Sequence, residues 1–121
     1  METELPSVNV AILRGVCSSP ADVRELPSGQ TLAQLQVTTS VGGRGTSVPV
    51  AVADPPAWVE DLDAGAEIVV VGHVRRRFFR AGGTTASRVE VPAEHVARAR
   101  DKRRAPATRR RVDALLAALD D

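Results

Sequence analysis

The sequence predicts an all-β domain: a five-stranded barrel with one short helix between strands 3 and 4, followed by an amphipathic C-terminal helix. Three observations predict it. Valines dominate an apolar content of 43%, and β-branched side chains suit a half-buried pleated surface. Only Trp58, Phe78 and Phe79 are aromatic, so the core must be built from Val, Leu, Ile and Ala. Short alternating runs are separated by Gly, Pro and Ser clusters. With 121 residues there is room for one domain and tails. The expected organisation is an acidic extension over 1–7, the barrel domain over 8–100, a basic linker over 101–107 and the helix over 108–121.

Taken in order, Val8 to Val16 is strand-like, and Gly15 within it marks a bulge or sharp bend. Ala21 to Leu26 is a short strand or turn with Val23 and Leu26 inward, closed by the turn Pro27-Ser28-Gly29. Thr31 to Thr39 alternates, with Leu35 and Val37 on one face and Gln34 and Gln36 on the other. The glycine-rich segment Val41 to Thr46 lacks the spacing and Lys-Ser/Thr ending of a phosphate loop, so it is a hairpin connection. Thr46 to Ala53 is a strand in which Pro49 marks an edge or irregularity, because proline cannot donate to a ladder.

Asp54 to Gly65 has the grammar of one short helix: Asp54 as N-cap, prolines in the first turn, and a glycine after the end. Trp58 and Leu62 then share a face and plug one end of the sheet. Ile68 to Phe79 is one long strand, Ala81 to Thr84 the turn, and Thr85 to Val91 the return strand, which Pro92 to Arg100 extends. In the tail, Val112, Leu115, Leu116 and Leu119 recur at helical spacing and form one apolar face. The arginines at the start of this helix and Asp120-Asp121 at its end oppose the macrodipole, so the helix depends on docking against its own domain, a second copy or a partner.

The net charge of +1 hides a strong asymmetry. Residues 73–111 carry thirteen basic side chains against Glu90, Glu94 and Asp101, a surplus of +10, while the rest carries three against twelve, or −9. Such a division suits a surface that meets a polyanion. The alternative is a solvated basic strand and tail with no partner.

Catalytic and metal chemistry find little footing. His73 and His95 lack neighbours at metal-ligand spacing and are assigned to sheet or surface. No nucleophile elbow is visible, and Asp61 and Asp63 flank a helix end. Cys17 is the sole cysteine, without a sequence-adjacent activating group. The expectation is a non-enzyme without cofactor or metal. A single cysteine, an acidic N-terminus without a signal-type apolar stretch, and no membrane-length apolar run predict a cytoplasmic protein.

The segment joining three arginines, two phenylalanines, a Gly-Gly turn and a second alternating run is the functional centre of the sequence. Cations and aromatics on a β-ribbon suit a strand of phosphates carrying flat bases. The element order is that of the OB-fold, a Greek-key barrel. The chain also resembles the bacterial single-stranded DNA-binding proteins over roughly residues 8–97. The matching stretches are Val8-Asn9 into Ile12-Leu13-Arg14-Gly15, Pro20 to Gly29, Asp63-Ala64-Gly65 into Ile68 to Gly72, Arg75 to Phe79, and Ser87 to Val91.

The resemblance implies single-stranded DNA binding with little sequence preference, in replication, recombination or repair, by a dimer or tetramer associated with the nucleoid. It places the family's fourth-strand aromatic on Phe79. By strand parity Arg75 and Arg77 share the face of Phe79 and become the first phosphate ligands, with Arg14, Arg44 and Arg88 next. Phe78 and Trp58 fall to core or oligomer contacts. The chain departs from the family in three places. Ser47 and Ala53 stand where third-strand aromatics are usual, the loop at Gly42-Gly43 is short, and the acidic tail tip ending in Pro-Phe is missing. A protein-interaction adaptor on the same barrel, engaging replication, repair or defence proteins through the tail helix, is therefore a rival reading. Single-stranded RNA binding is a third.

Overall fold

A computed structural model describes residues 7–100 and 105–119. Residues 1–6 of the expected acidic extension, 101–104 of the expected basic linker and the Asp120-Asp121 tip lie outside the described residues. The described residues form seven strands and two helices: β1 (Ala11–Cys17), β2 (Asp22–Glu25), β3 (Thr31–Val41), β4 (Arg44–Ala53), α1 (Ala57–Glu60), β5 (Glu67–Gly72), β6 (Arg75–Ala81), β7 (Thr84–Arg98) and α2 (Ala105–Ala118).

Six strands are hydrogen-bonded in the order β1-β5-β7-β4-β3-β2, and a β1–β3 pairing joins the ends of the five longer ones into a ring. The β4–β7 pairing is parallel, while the others are antiparallel. Alternation explains the core: Ala33, Leu35 and Val37 of β3, Val50 and Val52 of β4, and Ile68 and Val70 of β5 point inward, with Cys17 and Val91. Val59 and Leu62 close the cluster from the α1 segment, and Trp58 packs partly buried against it with the Arg98 guanidinium 5.5 Å from its ring centroid.

The β3–β4 and β6–β7 hairpin turns are each two residues long. Gly42-Gly43 and Gly82-Gly83 all have positive φ, as the tight turn that matches strand twist requires. Pro49 behaves as its chemistry demands: β4 acquires its second neighbour, β7, only from Val50 onward.

Five local expectations need correction. Of the bulge or sharp bend expected at Gly15, the bulge is absent, since the register of β1 with β5 is unbroken; a Cβ there would collide with the Thr38 carbonyl oxygen, where β1 crosses from β5 to β3. The bulge lies in β7, where Glu94 is the extra residue between the Val71–His95 and Gly72–Ala93 pairs. Val23 is exposed, as is all of β2, a short edge strand with alternating charges.

The helix expected from Asp54 is only one turn, begins after Pro56 and has no side-chain cap. Asp54 instead takes a left-handed φ of 48° and accepts a hydrogen bond from Gln30 Nε2 at 3.2 Å. The long strand expected over Ile68 to Phe79 is split at His73-Val74. In the ribbon's register His73 would face Pro92, which has no N–H to offer, and at the next residue the Asn9 side chain bonds both Val74 N and Val74 O at 2.8 and 2.7 Å.

Helix α2 starts at Ala105, three residues earlier than expected, which puts its arginines in the second turn and eases their conflict with the helix dipole. It docks on its own domain, against β5 and β7. Thr108 is buried, Val112 and Leu115 are half-buried, and Arg111 reaches Glu94 at 2.8 Å. Leu116 and Leu119 of the expected apolar face remain 50% exposed. Among the described residues no helix is long and apolar enough to cross a membrane.

Candidate nucleic-acid interface

Strand β6 pairs only with β7, and the Gly82-Gly83 turn sets their register from Ala81–Thr84 to Arg75–Glu90. Because side chains alternate, this two-stranded ribbon has two faces. One carries Arg75, Arg77 and Phe79 opposite Glu90, Arg88 and Ala86; the other carries Arg76, Phe78 and Arg80 opposite Val89, Ser87 and Thr85.

The first face is organised by Glu90, which is only 3% exposed. Arg75 Nη2 donates to Glu90 Oε2 at 3.0 Å. Arg77 Nε lies 2.7 Å from Glu90 Oε1 without a hydrogen-bonding angle, a close ionic contact. The Arg77 guanidinium also sits 5.8 Å from the Phe79 ring centroid, within cation–π range. Burying one carboxylate between two half-exposed guanidinia fixes both arginines and leaves the trio with one net positive charge.

Next to this trio, Arg88 and Glu90 border Gln34 of β3 and Pro49 and Ala51 of β4, so the ribbon face continues onto the sheet. Ser47, Pro49, Ala51 and Ala53 alternate onto that side of β4, and the Ser47 hydroxyl donates to Gln36 Oε1 at 3.3 Å. This continuation is a shallow surface of small side chains with no aromatic ring.

The structure brings together four of the six residues expected to touch nucleic acid: Arg75, Arg77, Phe79 and Arg88. Arg14 stands apart on β1, bordering Val69 of β5 and Thr108 and Val112 of α2. Arg44 opens β4 at the tip of the other hairpin. Phe79 is 38% exposed, enough to offer an edge or part of a face. Phe78, expected in the core or an oligomer contact, is outside this chain's core at 67% exposed, because the ribbon has no third layer on that side.

Sequence reasoning missed Glu90 as the organiser of the site. Its signal was present: counting outward from a two-residue Gly82-Gly83 turn sets Glu90 opposite Arg75. The role of Asn9 carried no comparable signal, since its partner lies 65 residues away.

Burial of Cys17 pushes its thiol pKa above the usual 9.0, which disfavours the thiolate and any nucleophilic use. His73 and His95 are exposed, and among the described residues no group of three or more His, Cys, Asp or Glu could hold a metal. Neither a family model nor a curated protein matches the chain.

Proposed function

We propose that the protein binds single-stranded DNA with little sequence preference, as an OB-fold protein. The order β1-β3-β4-β7-β5 around the ring, with its one parallel contact between β4 and β7, supports a five-stranded Greek-key barrel, with β6 as an outgrowth of the fourth strand. The observation that carries the functional reading is the ribbon itself. Arg75, Arg76, Arg77, Arg80 and Arg88 share the ribbon with a single acid, Glu90, and both phenylalanines of the chain are exposed among them. Guanidinia track phosphates and a ring stacks on any base, which gives affinity without sequence readout. No base-edge hydrogen-bonding array is needed.

Phe79 is the stacking residue of the first face, Arg88 its available phosphate ligand, and Arg75 and Arg77 reach a phosphate only by sharing with Glu90. Phe79→Ala should weaken binding of a labelled oligo-dT by about five- to 150-fold, the equivalent of ~1–3 kcal/mol per stacked base, with an unchanged circular dichroism spectrum. Unchanged affinity would count against stacking at this site. DNA replication, recombination or repair in the cytoplasm, as a homo-oligomer, is the setting that this reading implies.

One observation favours an adaptor instead: the exposed Leu116 of α2 and Leu119 just after its end are apolar side chains left open beside the domain. An adaptor would retain its partner after Phe79→Ala and lose it after Leu116→Asp.

A further inference from the structure

The second face of the ribbon has no acid. Its six residues are Arg76, Phe78 and Arg80 of β6 and Thr85, Ser87 and Val89 of β7. On β7 this is the side on which Val91 enters the core; beyond Val91 the core ends and the same side is bare, with Phe78 67% and Val89 45% exposed. Arg76 Nη1 donates to Ser87 Oγ at 2.8 Å, a neutral partner that holds the side chain along the ribbon and leaves its charge uncompensated. Arg80 is exposed. Arg76 and Arg80 are thus two cations on either side of an open ring, about 13 Å apart by strand rise.

The contrast with the first face is chemical. There, two arginines share one buried carboxylate; here, neither arginine has an acidic partner on the face. A polyanion should therefore favour the second face, and a large ring that is two-thirds bare between two cations suits a base flanked by phosphates. A protein surface would need acidic side chains to meet both arginines and an apolar one to meet Phe78. The regular repeat of phosphate and base meets all three.

We propose that Arg76, Phe78 and Arg80 form a second single-strand-binding face, so that one strand engages both sides of the β6–β7 ribbon: Phe78 stacks a base, and Arg76 and Arg80 contact its flanking phosphates. The inference rests on the single-strand-binding reading above and extends it from one platform to two.

The test compares wild type, Phe78→Ala, Phe79→Ala and Arg76→Gln/Arg80→Gln. Each is titrated with fluorescein-labelled oligo-dT of about 8 and about 30 nucleotides, within and beyond the span of one OB-type site, over a range of salt, with sedimentation velocity for oligomeric state. Phe78→Ala should weaken binding of the long oligonucleotide by about five- to 150-fold and the short one much less, with an unchanged sedimentation coefficient. The double arginine variant should flatten the slope of log affinity against log salt by about 1.4, two phosphate contacts' worth. Wild-type affinity in both variants, while Phe79→Ala loses binding, would overturn the second face and leave the proposed function standing. A change of oligomeric state in Phe78→Ala would identify Phe78 as a contact between copies and also overturn it. If wild type itself fails to bind oligo-dT, both readings fall together.

Discussion

Glu90 sets how much of the ribbon's charge is left for the proposed polyanion. Its carboxylate is buried while both guanidinia keep contact with water, so the trio is rigid but muted. Glu90→Gln keeps the shape and removes the competitor. Oligo-dT binding should tighten at low salt, and the salt slope should steepen by about 0.7 to 1.4 as one or two guanidinia become available to phosphate. The same change should lower stability by about 1–2 kcal/mol in urea titrations, because a charge-assisted hydrogen bond is lost. An unchanged slope would mean that Arg75 and Arg77 never reach the ligand.

Cys17 gives a second test at this scale. Its folded pKa lies above the unfolded value of 9.0, so the folded state holds the proton more tightly. Its contribution to stability is therefore complete below pH 9.0 and is lost as pH rises through the folded pKa. A thiol reagent at pH 8 should label Cys17 only upon unfolding. Labelling at the rate of a free thiol would show that the core opens there.

Among the elements, the strands were legible because alternation and turn chemistry act locally: Leu35 and Val37 face inward as their spacing requires, and Gly42-Gly43 closes a hairpin. What escaped were features set across the fold. The break at His73-Val74 depends on Pro92, and the need for glycine at position 15 depends on the Thr38 carbonyl. Helix α2 shows the same limit. Its apolar spacing was plain, yet only the fold tells that Val112 and Leu115 lie half-buried while Leu116 and Leu119 stay out. Accordingly, Val112→Ala should cost about 1 kcal/mol of stability, and Leu116→Ala with Leu119→Ala less than about 0.5 kcal/mol. Arg111→Ala should also cost under about 1 kcal/mol, since its bridge to Glu94 is solvent-exposed. A large loss from the Leu116/Leu119 pair would instead mean that these residues are buried in an assembly.

Across the whole molecule, the basic block seen in the sequence is split: five of its arginines lie on the β6–β7 ribbon, whereas Arg98 sits over Trp58 of α1 and Arg111 bridges Glu94. The arginine-rich ribbon hangs on β7, while acids cluster on β2 and around α1. The candidate site was half legible in the sequence: strand parity set Arg75, Arg77 and Phe79 on one face, as the register has them, whereas the further candidates Arg14 and Arg44 lie apart, Arg14 where β1 borders α2 and Arg44 at the Gly42-Gly43 hairpin. With Ser47 and Ala53 offering no rings, the proposed stacking would rest on Phe79 and Phe78, and electrostatics would have to supply a larger share of affinity than in a site with many aromatics.

The most direct test is an anisotropy titration of fluorescein-labelled oligo-dT with the wild-type protein at low and moderate salt, with duplex DNA of equal charge as competitor. Single-strand binding through the ribbon predicts affinity that falls with salt yet persists at moderate ionic strength, and a duplex that competes poorly because its bases cannot reach Phe78 or Phe79. Binding that vanishes at moderate salt and is displaced equally by duplex would mean that the arginines form only a charged surface, contradicting the proposed function.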